Sequence, residues 1–321
     1  HAGFMTKPSA GPSVPNRWTA ADIPDLTGRT FLVTGASSGL GLETTRQLAR
    51  RGAHVIMAVR DEAKGRAVER ELRAAQPDAN LEVRRLDLVD LDSVRAFAEN
   101  LVRAGRKVDV LVNNAGILAP PRTLTPQGHE SQFGVNHLGH FALTGLLFDL
   151  LRAAERPRVV TVSSNAHKFG RIHFDDLTGQ RRYSPMFFYG QSKLANVLFG
   201  LELDRRVRAA GLPLRSVLAH PGYAATQIHA SSGNPVLRVL MRLGGGMLAQ
   251  STAMGALNQL YAATDPRAEG GQMIGPGGWG EQRGYPALVR PAGTDPVAAR
   301  RLWELSEELT GVRFPLPPCS G

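Results

Sequence analysis

Short apolar runs alternate along this chain with longer segments whose apolar residues recur at helical spacing. Thr30-Phe-Leu-Val-Thr34, His54-Val-Ile-Met-Ala58, Leu81-Glu-Val-Arg-Arg-Leu86, Val108-Asp-Val-Leu-Val112, Arg158-Val-Val-Thr-Val162 and Leu214-Arg-Ser-Val-Leu218 read as strands. Between them, residues 40–51, 62–75, 91–103 and 129–151 carry the amphipathic pattern of helices. Strands joined by helical crossovers lie parallel and are covered on both faces, which explains why most of these runs are short and nearly continuously apolar. The expected architecture is therefore a single α/β domain, a doubly wound parallel sheet of about seven strands with helices on both faces.

The pattern also sets expected boundaries. From Thr6 to about Pro24 the chain is rich in Pro, Ser, Gly and Ala without apolar periodicity, and residues 1–27 are expected to form a flexible lead-in, free or partly draped on the domain, with ordered structure from about Gly28. His1-Ala-Gly-Phe ahead of Met5 reads as an expression scar, since no cationic stretch followed by an apolar one marks a signal peptide. The domain is expected over 28–314, with 315–321 as a tail. No repeat or low-complexity linker interrupts 28 to about 262. Beyond Gly222 the regularity fades. Val236-Leu-Arg-Val-Leu-Met-Arg-Leu243, followed by Gly244-Gly-Gly246, reads as a helix with a glycine hinge; a Gly/Pro-dense piece spans 270–284, and a last amphipathic helix covers 297–309.

Lys+Arg number 38 against 28 Asp+Glu, a net +10, which would ordinarily raise nucleic acid or an anionic membrane as partners. Only five of those cations are lysines (Lys7, Lys64, Lys107, Lys168, Lys193), and the arginines are scattered among acids rather than gathered in blocks, so no nucleic-acid surface is expected. The single cysteine, Cys319, excludes an intrachain disulfide and any Cys-based zinc site, which fits a reducing, cytoplasmic setting. The best apolar run, 141–151, is broken by Asp149, so no membrane span is expected.

Chemistry enters directly after the first strand. Thr34-Gly35-Ala-Ser37-Ser38-Gly39-Leu40-Gly41 places a glycine-rich turn between a strand and a helix. Such a turn lets the backbone approach a pyrophosphate, and the helix start offers unpaired N–H groups; by itself it could equally be a tight βα turn. Gly-Lys-Ser/Thr is absent, which speaks against a nucleoside-triphosphate loop. Tyr189 and Lys193 stand four apart and share one face of a helix. In a chain of this composition an accidental Tyr-xxx-Lys pair is expected about 8% of the time. A free phenol is a poor acid or base at neutral pH, and a nearby ammonium would stabilise its phenolate.

The series as a whole resembles the short-chain dehydrogenase/reductase family. TGASSGLG resembles its TGxxxGxG signature; Asp87-Leu88 its adenine-contacting pair; Asn113-Asn114-Ala115-Gly116 its NNAG segment. Asn136 in Val135-Asn-His-Leu-Gly-His-Phe141, Ser164 in Val160-Thr-Val-Ser-Ser164, Tyr189-Gly-Gln-Ser-Lys193 and Pro221-Gly222 with Thr226 follow in the family's order over roughly 28–275. The resemblance implies hydride transfer between a nicotinamide cofactor and a substrate carbon. Tyr189 would give its proton to a carbonyl oxygen or take that of an alcohol, and Ser164 would bind the same oxygen. Lys193 would lower the Tyr189 pKa and hold the nicotinamide ribose, and Asn136 would anchor a water on the proton relay. Gly35, Ser37, Ser38, Gly39, Leu40, Gly41, Asn114, Ala115, Gly116, Pro221, Gly222 and Thr226 would contact the cofactor. Ser164 rather than Ser163 is chosen as the second of the aligned pair. Singly, each residue has a bland alternative: a turn serine, a helix-kink asparagine, a core tyrosine.

Ser164 and Tyr189 are 25 residues apart, about twice the spacing of many family members. That insertion, with SKLANVLF after the tyrosine and AHPGY near 221, resembles the retinol-dehydrogenase-like branch, which includes membrane-bound retinal reductases and soluble bacterial oxidoreductases; lacking an anchor, this chain resembles the latter. The second strand ends Ala58-Val59-Arg60-Asp61, with Val59 at the family's acid position and Arg60 where NADP users carry a base. NADP(H) is expected over NAD(H), with Asp61 as a helix cap; the competing reading sets Asp61 on the ribose, and Ser37 and Ser38 stand where some NADP enzymes have a second cation. The apolar stretch 223–250 would serve as a substrate lid for a lipophilic carbonyl or alcohol, or as a packing or dimer surface, and a homo-oligomer is possible. His137 and His140 lack a third ligand pattern, so no metal is expected. Two other activities stay open: reduction of a carbon–carbon double bond, as in protochlorophyllide reductases, and a non-catalytic NADP(H)-binding regulator.

Overall fold

The computed structural model describes residues 14–222 and 251–316. Eight strands form one sheet in the order β3-β2-β1-β4-β5-β6-β7-β8: β1 Thr30–Thr34, β2 His54–Val59, β3 Asn80–Arg85, β4 Val110–Asn113, β5 Arg158–Val162, β6 Arg215–Ala219, β7 Met273–Pro276 and β8 Pro286–Val289. The first seven are parallel, and β8 returns antiparallel to β7, so the expected parallel sheet of about seven strands gains an antiparallel edge. The chain winds outward from β1 to β3, then restarts at β4 on the other side of β1. The crevice at the carboxyl ends of β1 and β4 is thus a topological switch point, where open α/β sheets bind ligands.

The helices follow from local signals. Asp61 caps α2 (Glu62–Ala75) by accepting from Lys64 N, and Asp90 caps α3 (Leu91–Arg103) by accepting from Asp92 N. α1 (Gly39–Arg50) starts differently: its N-cap Ser38 makes no side-chain cap bond, which leaves first-turn N–H groups facing the crevice. The helix expected over 129–151 is broken into α4 (Ser131–Phe133), a π-helical turn (Gly134–Leu138), α5 (Gly139–Leu146) and α6 (Phe148–Arg152). Asn136 sits in the π turn, an irregularity frequent at functional sites. α7 (Pro185–Ala209) starts with Pro at its first turn and is buried along most of its length, so it lacks a one-sided apolar pattern. α8 (Thr252–Thr264) and α9 (Pro296–Thr310) complete the layers.

One core, with α1 and α8, lies on one face of the sheet; another, with α3, α5 and α7, lies on the other. The expectation that order begins near Gly28 is corrected. Trp18, Ile23 and Leu26 are at most 2% exposed in the first core, and Trp18 Nε1 donates to Asp265 at 3.0 Å. Three buried apolar anchors spread over nine positions have no helical or strand period, so periodicity could not find them. The lid segment 223–250 and Thr226 lie outside the described residues. Among those described, no helix is long and apolar enough to cross a membrane.

Candidate active site

The glycine turn after β1 and the Asn-Asn-Ala-Gly turn after β4 are stitched to each other. Thr34 Oγ1 accepts from Asn114 N at 2.9 Å and Ala115 N at 3.0 Å, and Asn114 Nδ2 donates back to Thr34 O at 2.8 Å. His140 completes the circuit: its Nδ1 lies 3.0 Å from the Asn136 carbonyl and its Nε2 2.9 Å from Thr34 Oγ1. A carbonyl can only accept, so Nδ1 carries the proton and Nε2 accepts from Thr34. Burial, and after it the Lys193 charge, outweigh the bond to Asn136 and hold His140 down at about 4, so it is neutral at pH 7. On the other side, Gln259 Nε2 donates to Thr44 Oγ1 at 2.7 Å and Asn114 Oδ1 at 3.0 Å. Neither His140 nor Gln259 was singled out for this role by motif reading, because the partners that tie them to the turns, Thr34 for His140 and Thr44 and Asn114 for Gln259, are more than 100 residues away in the chain.

Between these turns lies a cleft whose walls include Gly35, Ser38, Gly39, Leu40, Gly41, Asn114, Ala115, Gly116, Tyr189 and Lys193. Ile117, Leu118 and Val162, which motif reading did not name, also line it. The glycines are required by shape. A Cβ at Gly41 would overlap the Gly35 carbonyl oxygen, and one at Gly116 would press on Asn136 Oδ1 and Lys193 Nζ. Gly35 holds φ +68°, in the left-handed region that favours glycine. A narrow backbone cradle under a free helix start fits the pyrophosphate of a dinucleotide.

Ser164, Tyr189 and Lys193 converge beside the carboxyl end of β5. Ser163 Oγ donates to the Lys193 carbonyl at 2.8 Å and so is spent on α7, whereas Ser164 bonds the Tyr189 hydroxyl. Tyr189 and Lys193 are only 5% and 4% exposed, and Lys193 Nζ lies 5.6 Å from the centre of the Tyr189 ring. Burial pushes the Tyr189 phenol up to about 12, with the Ser164 bond opposing, and pushes the Lys193 ammonium down to about 8. The cause is loss of hydration in both cases, and it acts against the charged form of each. Tyr189 is accordingly a protonated phenol at neutral pH. Asn136 clamps the loop after β4 to α7: its Oδ1 accepts from Ile117 N at 2.8 Å, and its Nδ2 donates to Ile117 O and Ser192 Oγ.

Other expected contacts lie outside the cleft walls. Ser37 is half-buried, and Arg60 is exposed at the end of β2 beside Asp61, whose carboxylate is used as the α2 cap. Asp87 Oδ1 accepts from Val89 N, and Leu88 packs on Gly139. Pro221 and Gly222 are buried, with Gly222 at φ +70° and its N–H donated to His220 Nδ1 at 3.2 Å. The turn after β7 reaches this loop: Glu281 lies 3.0 Å from His220 Nε2 and from Lys168 Nζ, and its carbonyl accepts from Asn165, next to Ser164. These contacts hold Glu281 down at about 2. His137, expected to hold no metal, packs among Phe133, Phe141 and Phe199 and bonds Ser306 at 2.8 Å.

A family model described as short chain dehydrogenase matches residues 29–236, well over half the chain. The chain belongs to the short-chain dehydrogenase family. Within it, the chain is 40% identical to mouse retinol dehydrogenase 12 over 92% of its own length and 90% of the relative's. It is 39% identical to human retinol dehydrogenase 14, over 94% and 92%. Among solved structures of the family fold, an uncharacterized protein from Mycobacterium Paratuberculosis matches with a TM-score of 0.78 at 47% identity, covering 93% of this chain and 99% of that one. A protein from Beutenbergia cavernae described as an NAD(P) dependent gluconate 5-dehydrogenase, with bound NADP, matches with a TM-score of 0.61 at 27% identity, covering 78% and 95%.

Proposed function

We propose that this chain is an NADP(H)-dependent oxidoreductase that interconverts a lipophilic ketone or aldehyde and its alcohol, with Tyr189 as general acid/base. The observation that carries the reading is the convergence of Ser164, Tyr189 and Lys193 beside a glycine cleft that a dinucleotide fits. When bound, the nicotinamide would supply or accept the hydride. Every other role falls to the chain's own residues. Tyr189, protonated at neutral pH, donates to the carbonyl oxygen during reduction, and the Ser164 hydroxyl hydrogen-bonds the same oxygen. Lys193 holds the ribose and stabilises the phenolate that proton donation leaves behind. Asn136 keeps the loop after β4 against α7, so that Gly116 and Lys193 stay in register.

Gly35, Gly39, Gly41 and the first turn of α1 would take the pyrophosphate, with Ser37, Ser38 and Leu40 beside it. Asp87 and Leu88 would meet the adenine, and Asn114, Ala115, Gly116, Pro221, Gly222 and Thr226 the nicotinamide half. Arg60 would read the 2′-phosphate, because Asp61 is committed to its helix and Arg60 is free to reach. The NADP in the Beutenbergia protein and the retinol dehydrogenases among the relatives support the cofactor and a lipophilic substrate. The test is NADPH oxidation across aromatic, terpenoid, steroid and retinoid carbonyls, run beside Tyr189→Phe. Turnover of a carbonyl that the variant loses is expected; an unaffected variant would overturn the assignment of Tyr189.

A further inference from the structure

The opposite end of the sheet carries a second cavity, lined in part by Arg29, Arg156, Arg158 and Arg215. Arg158 opens β5 and Arg215 opens β6, and the two are direct register partners on neighbouring parallel strands. Side chains paired in this way leave the same face of the sheet, and like charges so placed repel. Arg29 immediately precedes β1, and Arg156 stands two residues before β5. Among the described residues, none of the four has a carboxylate within the 4.0 Å of an ion pair. Arg158 is nonetheless only 5% exposed.

Each of the buried or half-buried three spends one nitrogen on backbone. Arg158 Nη1 donates to Ala262 O at 2.9 Å, Arg29 Nη2 to Arg156 O at 2.9 Å, and Arg215 Nη1 to Pro266 O and Ala268 O. The Ala262 carbonyl belongs to the last turn of α8, whose negative end offsets part of one charge. The nearby acids are occupied or few. Asp109 takes Thr30 N and Lys107, Asp265 takes Trp18 and Arg267, and Asp25 on the cavity wall takes Thr27. Exposed Glu155 is the other wall acid, against four guanidiniums. A buried charge persists where it is paired, and here Asp265 acts on Arg158 and Asp109 and Glu155 on Arg29 only from beyond ion-pair distance, which leaves the cluster with more positive charge than the described residues neutralise.

We propose that this cavity is an oxyanion site, separate from the dinucleotide cleft, that takes a small phosphate-bearing ligand. Guanidiniums carried by three strand ends into the wall of one cavity offer more donors than the two oxygens of a carboxylate can use, and suit the several oxygens of a phosphate. The site is remote from the chemistry. Along β5, Arg158 is four residues from Val162 on the cleft wall, about 13 Å at strand rise. Burial, and after it the neighbouring Arg215 and Arg29, press the Arg158 pKa down to about 9, with the Asp265 charge opposing them only in part.

The test is calorimetry and thermal melting of the full chain with sodium pyrophosphate, at ionic strength held constant with NaCl and with saturating NADPH to occupy the cleft. Pyrophosphate is expected to bind and raise Tm beyond the NaCl control. Arg158→Met is expected to weaken it about tenfold or more, and Arg156→Ala at least about threefold. Arg156 is exposed and its guanidinium makes no hydrogen bond among the described residues, so that variant decides the matter if Arg158→Met does not fold. No pyrophosphate binding above the control, or equal affinity in wild type and Arg156→Ala, would overturn the site. The variant comparison stands whether or not NADPH enters the cleft, so it is independent of the proposed activity.

Discussion

Lys193 and Arg158 are both buried cations without a carboxylate at ion-pair distance among the described residues, yet they sit at opposite ends of β5 and have opposite chemical prospects. Lys193, near the carboxyl end, is pushed to about 8 and can lose its proton close to neutral pH; Arg158, at the amino end, goes to about 9 and keeps its charge there. The same burial therefore yields a proton-handling group at one end and a fixed charge at the other. The carboxyl end gathers groups whose protonation matters to a reaction. The amino end gathers groups suited to holding an anion still.

The contrast breaks first if the carboxyl end is not reactive. Tyr189→Phe removes only the hydroxyl at Ser164 and is expected to lower kcat for carbonyl reduction about 10²–10⁴-fold. NADPH affinity should change by no more than about threefold, since the ring that walls the cleft remains. Steady-state rates beside a fluorescence titration of NADPH separate the two quantities. A loss confined to cofactor binding would mean that Tyr189 only shapes the wall.

Lys193→Met sharpens the comparison, because activity and stability should move in different directions. Turnover is expected to fall about 100-fold as the phenolate loses its ammonium. Stability at pH 7 should hold or rise, by up to about 3 kcal/mol, since the native state no longer shelters an uncompensated cation. With a native pKa near 8 against 10.5 unfolded, the unfolded wild type binds more protons between those values. Wild-type stability therefore gains a rising contribution from pH 8 to 10.5, and the variant should lack it in urea unfolding. A marked fall in Tm at pH 7 would show that Lys193 is instead a structural linchpin.

How far the sequence foretold these two ends differs for a physical reason. Tyr189, Lys193 and the glycine turn are legible because helical spacing and backbone clearance are local. Most of the strands from β1 to β6 are legible because burial on both faces makes them nearly continuous apolar runs, while β3, at the sheet edge, shows itself by alternation with Leu81 and Val83 buried. β7 hides in the Gly/Pro-dense stretch and β8 just beyond it: Pro276 ends β7 and Pro286 starts β8, and strands of four residues bounded by proline carry little apolar pattern. Trp18 is held by Asp265 and Tyr261, and Glu281 by His220 and Lys168, so their importance exists only in the folded chain. The pairing of Arg158 with Arg215 is of the same kind. In the sequence they are two arginines among 33.

A third experiment asks whether protonation at the carboxyl end is confined to the reacting groups. His137 is held down at about 3 and His140 at about 4, chiefly by burial, against 6.5 when unfolded. Below pH 6.5 the unfolded chain takes up protons that the native core refuses, so stability falls as pH falls. At pH 5.5 these two alone cost about 3 kcal/mol, and the lowered pKa values of His54, His129, His167 and His220 add with the same sign. Urea midpoints at pH 7.5, 6.5 and 5.5 check the slope, and His137→Gln should reduce it. A flat profile over that range would show that the histidines are not buried as neutral groups.

The smallest effect concerns a fixed charge displaced to the carboxyl end. Arg60 is exposed, outside the cleft walls, and next to an aspartate already used as a helix cap. If it reads a 2′-phosphate, Arg60→Ala should lower kcat/KM with NADPH about tenfold, the loss of one charge-assisted contact at a solvated rim, and leave NADH unchanged. Asp61→Ala provides the counterpart: it should weaken α2 by about 1 kcal/mol through its lost cap while altering NADPH and NADH alike. Should Asp61→Ala instead impair NADH selectively, the carboxylate and not the guanidinium would be the ribose reader. Arg60 would then be a solvated surface charge, with no part in telling NADPH from NADH.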